Sequence, residues 1–364
     1  MKVAFHVGQL LQAVPGGIGT YAEALLEALP AVGVTPVPFA SGVPPADAAN
    51  RFPGFVGIGR PGPPWRYELW HRFRRPRLRV PGDVVHATSL AIPPAAPRPL
   101  VVTVHDVAFL RHPELFTRHG VSFHRHGLDL ARREAAAIVT PSIFTRDELM
   151  TVGFPAEQVH VIPHGAPTAL GLSPEEDTAV LRRLGVSAPF IAFVGTLEPR
   201  KGIDTLTAAF AAVRADLPEL SLVLAGAPGW GDVGRLDGDG VAALGAVTPR
   251  EADVLWRHAL CAAVPSRYEG FGLPALEAMA RGCAVVASDA TSLPEVVGDA
   301  GLLVAPGDVG AWVDALRVMV GDPNRREALA TSGVQRAASF TWEASARAHA
   351  AVYASVAGGR PEGS

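Results

Sequence analysis

This sequence predicts an α/β protein: two Rossmann-like, doubly wound domains facing each other across a cleft. Three observations carry the prediction. The chain has 364 residues, more than one average domain holds and suited to two of roughly 150–200 residues each. Short apolar, β-branched runs alternate with helical patterns from end to end, as when helices cover both faces of a parallel sheet. The series of strands also starts afresh beyond PHGAPTALGLSPEED (163–177), a stretch rich in Pro, Gly and small residues that reads as the interdomain linker.

In the first half the strand runs are VAFHVG (3–8), VPFAS (37–41), DVVHATS (83–89), LVVTVHD (100–106), AAIVTPS (136–142) and VHVIPHG (159–165). Helical patterns fall at 20–29 and around 118–136. The second series is FIAFVG (190–195), SLVLAG (221–226), VAALG (241–245), CAAVPS (261–266), AVVAS (284–288) and GLLVAP (301–306). From there the pattern is helical to about 358, broken near SFTWEA (339–344). The expected division is a domain at 1–166, a second at 167–340, a helix at 341–358 packing back on the first domain, and a frayed tail at 359–364.

The apolar fraction of 48% is ample for two cores, and a net charge of −3 gives no nucleic-acid footprint. The two cysteines, Cys261 and Cys283, sit in or beside apolar runs and read as reduced, buried residues of a cytosolic protein. The N-terminal MKVAFHVGQL lacks the layout of a signal peptide, and no apolar run approaches the roughly 18 residues of a membrane span. A soluble, cytoplasmic protein is expected. Arginine is abundant, yet Lys2 and Lys201 are the only lysines.

The chemistry concentrates in SRYEGFGLPALEAMARG (266–282), where Glu269 and Glu277 flank a bare Gly270-Phe271-Gly272 turn. Pro274 suits the first position of a helix and Gly282 the residue past its end, so a helix is expected over 274–281. The loop feeding it leaves the carboxyl edge of a parallel sheet, where ligands bind. Two readings fit. Glu277 complements the helix dipole while Glu269 is an exposed loop charge; or both carboxylates accept hydrogen bonds from vicinal hydroxyls of a ribose and a sugar, with glycine amides facing the ligand.

Three further stretches bear on the choice. VGTLEPRKG sets Arg200 and Lys201 between a strand and a helix, two cations beside a helix N-terminus, as a phosphate site requires. VPGGIGTY puts Gly16, Gly17 and Gly19 after the first strand and ahead of a helix, without the dinucleotide G-x-G-x-x-G spacing. VTVHD sets His105 and Asp106 at the carboxyl end of a strand.

Together these motifs resemble the retaining glycosyltransferases of family 4, which have the GT-B fold, over nearly the whole chain. YEGFGLPALEAMARG carries the specific part, VGTLEPRKG and PGGIGTY agree in order and spacing, and SLPEVVGDAGLLVAPGD (292–308) also looks like this family. The nearest flavour is the bacterial mannosyltransferase-like group. The resemblance implies roles. Glu277 would hold the ribose hydroxyls, and Glu269 with the amides of Gly270, Phe271 and Gly272 the transferred sugar. Arg200 and Lys201 would bind the diphosphate, Gly16 and Gly17 would approach it from the other domain, and His105 would contact the sugar. Val247 would lie where the family's backbone meets the base. One departure is that some members carry an arginine directly after the strand glycine, where this chain has Thr196.

The function expected is retaining transfer of a hexose, with mannose from GDP-mannose foremost, to an acceptor hydroxyl of a glycan, glycolipid or small molecule, without a metal. A UDP- or dTDP-sugar enzyme, a sugar-nucleotide epimerase and a non-catalytic nucleotide-sugar-binding subunit are the alternatives. Asp237 and Asp239 in LDGDG lack supporting metal ligands, the two lysines are poor Schiff-base candidates, and His119, His124 and His126 lack H-E-x-x-H spacing. WRYELWHRFRRPRLRV (65–80), with Arg66, Arg72, Arg74, Arg75, Arg77 and Arg79, reads either as a surface helix or as a peripheral contact with an anionic membrane surface or an acidic acceptor.

Overall fold

The structure is a computed structural model that describes residues 1–358 except 13–14, 42–51, 59–65, 76, 230, 232 and 235. It divides into two compact units, Met1–Gly165 together with the chain from Thr341 onward, and Ala166–Phe340.

The first unit holds β1 (Lys2–His6), β2 (Thr35–Ser41), β3 (Val56–Ile58), β4 (Val84–Ala87), β5 (Leu100–Thr103), β6 (Ala135–Thr140) and β7 (Val159–Val161). They form one parallel sheet in the order β3-β2-β1-β4-β5-β6-β7. Its two faces are separately buried. Val3, Phe5, Val84 and Val101 pack with Tyr21 and Leu25 of helix Gly16–Ala28, and with Ala346, Val352 and Tyr353 of helix Trp342–Gly358. Ala4, Val85, Leu100 and Val102 pack with Leu128 and Ala131 of helix Arg118–Glu134. This period of two, apolar on both faces, is what a sheet covered on both sides demands.

The second unit holds β8 (Phe190–Val194), β9 (Ser221–Ala225), β10 (Val241–Gly245), β11 (Cys261–Val264), β12 (Val285–Ser288) and β13 (Leu302–Val304), parallel in the order β10-β9-β8-β11-β12-β13. Phe190, Ala192 and Val264 face Trp256, Leu276 and Met279. Ile191, Phe193 and Ala263 face Phe210 and Trp312. The strand order reverses between β8 and β11, and the crevice outside the carboxyl ends at such a reversal is where open α/β sheets bind ligands. Cys261 and Cys283 are free and buried.

Three expectations need correction. No run in the sequence marks β3: its three residues carry too little pattern, and pairing with Phe39–Ser41 alone makes them a strand. The first helix begins at Gly16 rather than 20. The Gly19 N–H donates to the Pro15 carbonyl at 3.1 Å, so the glycines form the first turn instead of leading into it. The basic stretch is not merely a surface helix. Helix Arg66–Phe73 buries Trp70 and His71, and Arg74 donates to the carbonyls of Trp70, Ile92 and Pro93 and pairs with Glu134. Arg72, Phe73, Arg75, Arg77 and Arg79 are exposed, while Trp65 and Pro76 lie outside the described residues.

Candidate functional site

The strand reversal of the second unit sets two loops side by side. One leaves β8 through Thr196, Leu197 and Glu198 into the short turn Pro199–Lys201 and helix Ile203–Arg214. The other leaves β11 through Ser266 to Gly272 and enters helix Leu273–Ala280. They are tied together twice: Arg267 N–H donates to the Arg200 carbonyl at 2.7 Å, and the Arg200 side chain donates from Nη1 to the Tyr268 carbonyl at 3.1 Å. Between the turn and its helix sits Gly202 with φ +67°, where a side-chain carbon would lie 2.1 Å from the Pro265 carbonyl oxygen. Glycine is required there by sterics and backbone alike.

This packing assembles four charges. Lys201 Nζ lies 2.6 Å from Glu269 Oε1, and both residues are almost buried. Arg200 Nε is 2.6 Å from Glu198 Oε1, and its Nη1 is 3.6 Å from Glu269 Oε2. The Ser266 hydroxyl donates to Glu269 Oε1 at 2.8 Å. The loop around Glu269 is held as well: its N–H donates to Thr291 Oγ1 at 3.1 Å and its carbonyl accepts from Ser292 Oγ at 2.9 Å. Thr291 has φ +55°, costly for a β-branched residue and the kind of strain that collects at functional sites. Burial opposes charge on Glu269, but Lys201 and Arg200 overcome it and hold the carboxyl below its ordinary value. Burial and Arg200 likewise draw Lys201 down, against the pull of Glu269. Two cations and two carboxylates make the cluster formally neutral.

The glycine turn continues from this cluster. Gly272 caps helix Leu273–Ala280 with φ +111°, and a side-chain carbon there would meet Leu293 Cδ2 at 2.8 Å. The Phe271 ring turns into the core, edge-on to Phe340 at 6.0 Å, so its main chain is what the turn can present. Glu277 sits on the following helix. Burial raises its carboxyl above the ordinary value, opposed by Arg281 and by the Trp256 indole N–H. Arg281 braces this helix: its Nε donates to Asp253 at 2.9 Å, and its Nη1 to the Pro167 carbonyl at 2.9 Å. Val247 lies in the loop after β10, half-buried against the same apolar cluster as Phe271.

Arg200, Lys201, Glu269 and the 270–272 turn thus come together, with Glu277 on the adjoining helix. The alternative in which Glu269 is an exposed loop charge fails, because the residue is 6% exposed. Gly16, Gly17 and His105 belong to the first unit. Gly16 (φ +60°) and Gly17 are exposed in the first helical turn, with open space where a Gly16 side chain would stand. His105 lies two residues beyond β5, its Nε2–H donating to the Thr88 carbonyl at 2.9 Å. Burial lowers its basicity, against Thr88 and Asp106. Asp106 Oδ1 accepts from the Ala108 N–H at 3.0 Å, a local turn contact.

Sequence reasoning passed over Glu198, Ser266, Thr291 and Arg281. Glu198 carries the one legible signal, a carboxylate two residues before Arg200. Ser266 and Thr291 are recruited by folding from loops whose sequences show no periodicity, and Arg281 closes helix Leu273–Ala280, where only folding brings Asp253 to it. In helix Arg118–Glu134, His124 Nδ1–H donates to the Gly120 carbonyl and His126 Nε2–H to the His71 carbonyl of helix Arg66–Phe73. Asp239 is exposed and 3.5 Å from Arg214. Among the described residues no three of His, Cys, Asp and Glu converge as metal ligands, and no helix is long and apolar enough to cross a membrane.

The model of Glycosyltransferase Family 4 matches residues 15–170, and that of Glycosyl transferases group 1 matches 188–322. The chain is 33% identical over 290 residues to O-antigen chain mannosyltransferase B of Escherichia coli, covering 76% of each chain. It is 32% identical over 278 residues to a D-inositol 3-phosphate glycosyltransferase of Jonesia denitrificans, covering 70% of this chain and 66%, just under two thirds, of that one. The Anabaena protein HepE, solved in complex with UDP and glucose, superposes with a TM-score of 0.75 at 20% identity, over 98% of this chain and 99% of that one. Two parallel α/β units, the loops at the reversal of the second sheet, and relatives aligned across both halves lead to one conclusion: the chain belongs to glycosyltransferase family 4, with the GT-B fold.

Proposed function

We propose that this glycosyltransferase moves a hexose, foremost mannose from GDP-mannose, to an acceptor hydroxyl of a glycan, glycolipid or small molecule, with retention at the anomeric carbon. The observation that carries the reading is the buried Lys201–Glu269 pair with Arg200, set beside the Gly270–Gly272 turn. Arg200 and Lys201 supply positive charge for a diphosphate, and Glu269 and the glycine amides supply acceptors and donors for sugar hydroxyls. Glu277, one helical stretch on, serves the ribose, and Val247 contributes a backbone contact to the base. His105 serves as a sugar contact and the Gly16–Gly17 turn as a diphosphate contact.

In this mechanism the bond from the anomeric carbon to the diphosphate oxygen breaks as positive charge grows on the sugar. The acceptor oxygen bonds to the same face, and its proton passes to the departing diphosphate oxygen. The two cations stabilise the charge left on the nucleotide, which lets the site work without a metal. Loss of one such stabiliser typically costs ~10²–10³ in rate. The mannosyl assignment is supported by the E. coli relative's name. UDP-sugar use is the second reading, because HepE was solved with UDP and glucose.

Thermal unfolding with GDP, UDP, dTDP and ADP, each with and without EDTA, tests the proposal. A nucleotide at 100 times its Kd adds about 2.7 kcal/mol of stability, so the donor's own base stands out. A shift with GDP that EDTA leaves intact supports the reading. A shift with UDP alone replaces the base, and no shift with any nucleotide overturns the donor site.

A further inference from the structure

The first unit contains a buried chain of hydrogen bonds whose direction is fixed throughout. His349 Nδ1 lies 2.8 Å from the Ser345 carbonyl, which can only accept, so Nδ1 carries the proton. Burial keeps His349 neutral, lowering its pKa to about 4, and its Nε2 is therefore an acceptor. Tyr21 lies 2.9 Å from that Nε2 and must donate to it. The Tyr21 oxygen then accepts from the Thr103 hydroxyl at 2.8 Å. Thr103, its proton spent, accepts from His86 Nε2–H at 2.8 Å. His86 is held neutral by burial, so its Nδ1 accepts from the Tyr353 hydroxyl at 2.7 Å.

The members come from helix Gly16–Ala28 (Tyr21), from β4 (His86), from β5 (Thr103) and from helix Trp342–Gly358 (His349, Tyr353). All five are essentially inaccessible to solvent. The chain has an output. The Tyr21 ring stands edge-on to His105, with centroids 4.9 Å apart and planes at 79°, and Thr103 is two residues before His105 on the same strand exit. Tyr21 also lies one helical turn beyond the Gly16–Gly17 turn.

We infer that Tyr21 and Thr103 are positioning residues for His105, and that the helix Trp342–Gly358 supports them by fixing both ends of this directed chain. The inference rests on the role proposed for His105. A one-sided chain of this kind admits a single tautomer at each imidazole, so the Tyr21 ring has one orientation, and His105 packs against it. A purely apolar core of the same volume would fill the space without specifying that orientation.

The test compares Thr103→Val, which keeps the shape and removes the hydroxyl, with Thr103→Ser, which keeps the hydroxyl. Turnover of GDP-mannose is read as GDP release, GDP binding as a thermal shift, and histidine tautomers by long-range ¹⁵N–¹H spectra. Thr103→Val is expected to lower kcat at least tenfold with the GDP-induced shift unchanged, and Thr103→Ser to restore kcat. The wild-type spectra should show His349 as the Nδ1–H form and His86 as the Nε2–H form. Wild-type kcat in folded Thr103→Val, or His349 in the Nε2–H form, overturns the inference. Tyr21→Phe gives the same comparison should Thr103→Val fail to fold. Activity lost in His105→Ala but kept in Thr103→Val removes the positioning role alone. Full activity in His105→Ala removes the role of His105 and this inference with it.

Discussion

Replacing Lys201 by Met separates what the buried pair does for the fold from what it does for catalysis. The substitution keeps the apolar stem and removes the ammonium, leaving Glu269 in a site where both side chains are less than a tenth exposed. Breaking a buried ion pair from one side costs about 3–5 kcal/mol, because the remaining charge loses its compensation. Here Arg200 at 3.6 Å and the Ser266 hydroxyl at 2.8 Å remain, which sets the expectation at the lower end, about 3 kcal/mol. In a unit spanning Ala166–Phe340, each 1 kcal/mol moves Tm by roughly 2–4 °C, so calorimetry should show a fall of about 6–12 °C. Removing both partners in Lys201→Met/Glu269→Leu should recover most of that loss, since no buried charge is stranded. Sugar transfer should fall by ~10²–10³ in the single variant and stay low in the double. A Tm drop under 2 °C for Lys201→Met, or a double variant less stable than the single, would refute the argument from the buried pair.

Further outcomes follow from the same geometry. Because Lys201 and Arg200 hold Glu269 below its ordinary value against burial, its stabilising share is intact above the unfolded carboxylate value of ~4.3 and is lost as pH falls through the lower folded value. Acid titration of unfolding should show that limb, and Lys201→Met should shrink it. Glu277 has the opposite sign: its raised folded value gives stability below the unfolded value that is lost as pH rises through the folded one. Glu277→Gln should therefore hold or raise Tm at pH 7 while abolishing the nucleotide-induced shift; a lowered Tm would contradict the burial argument. Gly202→Ala drives a methyl to 2.1 Å from the Pro265 carbonyl at φ +67°, so soluble folded protein should not be recovered at wild-type yield. Arg281→Met removes one of the two arginines on the buried Asp253 carboxylate, which keeps Arg257 Nε at 2.9 Å, and should destabilise by about 1.5–3 kcal/mol, measured by urea unfolding.

Twelve of the strands announce themselves by apolar runs, and in the central ones burial of both sheet faces makes that signal nearly continuous. The short β3 has no such signal, since three residues become a strand only through a neighbour. Glu269, Arg200 and Lys201 are legible because charged residues next to glycine turns at strand ends have few structural explanations. Ser266, Thr291 and Ser292 are not, because a hydroxyl in a loop looks the same whether it faces water or holds a carboxylate loop in place. Arg74 shows the converse: it reads as one of a row of basic surface residues, yet it donates to three carbonyls.

The sequence by itself determines the two-unit α/β plan, the glycines that left-handed backbone positions call for, and the residue types of the candidate site. Local pattern suffices for these, because burial periodicity and backbone sterics act between near neighbours in the chain. Tertiary structure alone decides that Lys201 meets Glu269 sixty-eight residues away, and that Glu198 rather than solvent faces Arg200. It alone decides that Tyr21, Thr103 and His349 share one buried chain of hydrogen bonds. Such pairings follow from the order of strands in a sheet, and strand order is a property of the whole packed core, not of any segment within it.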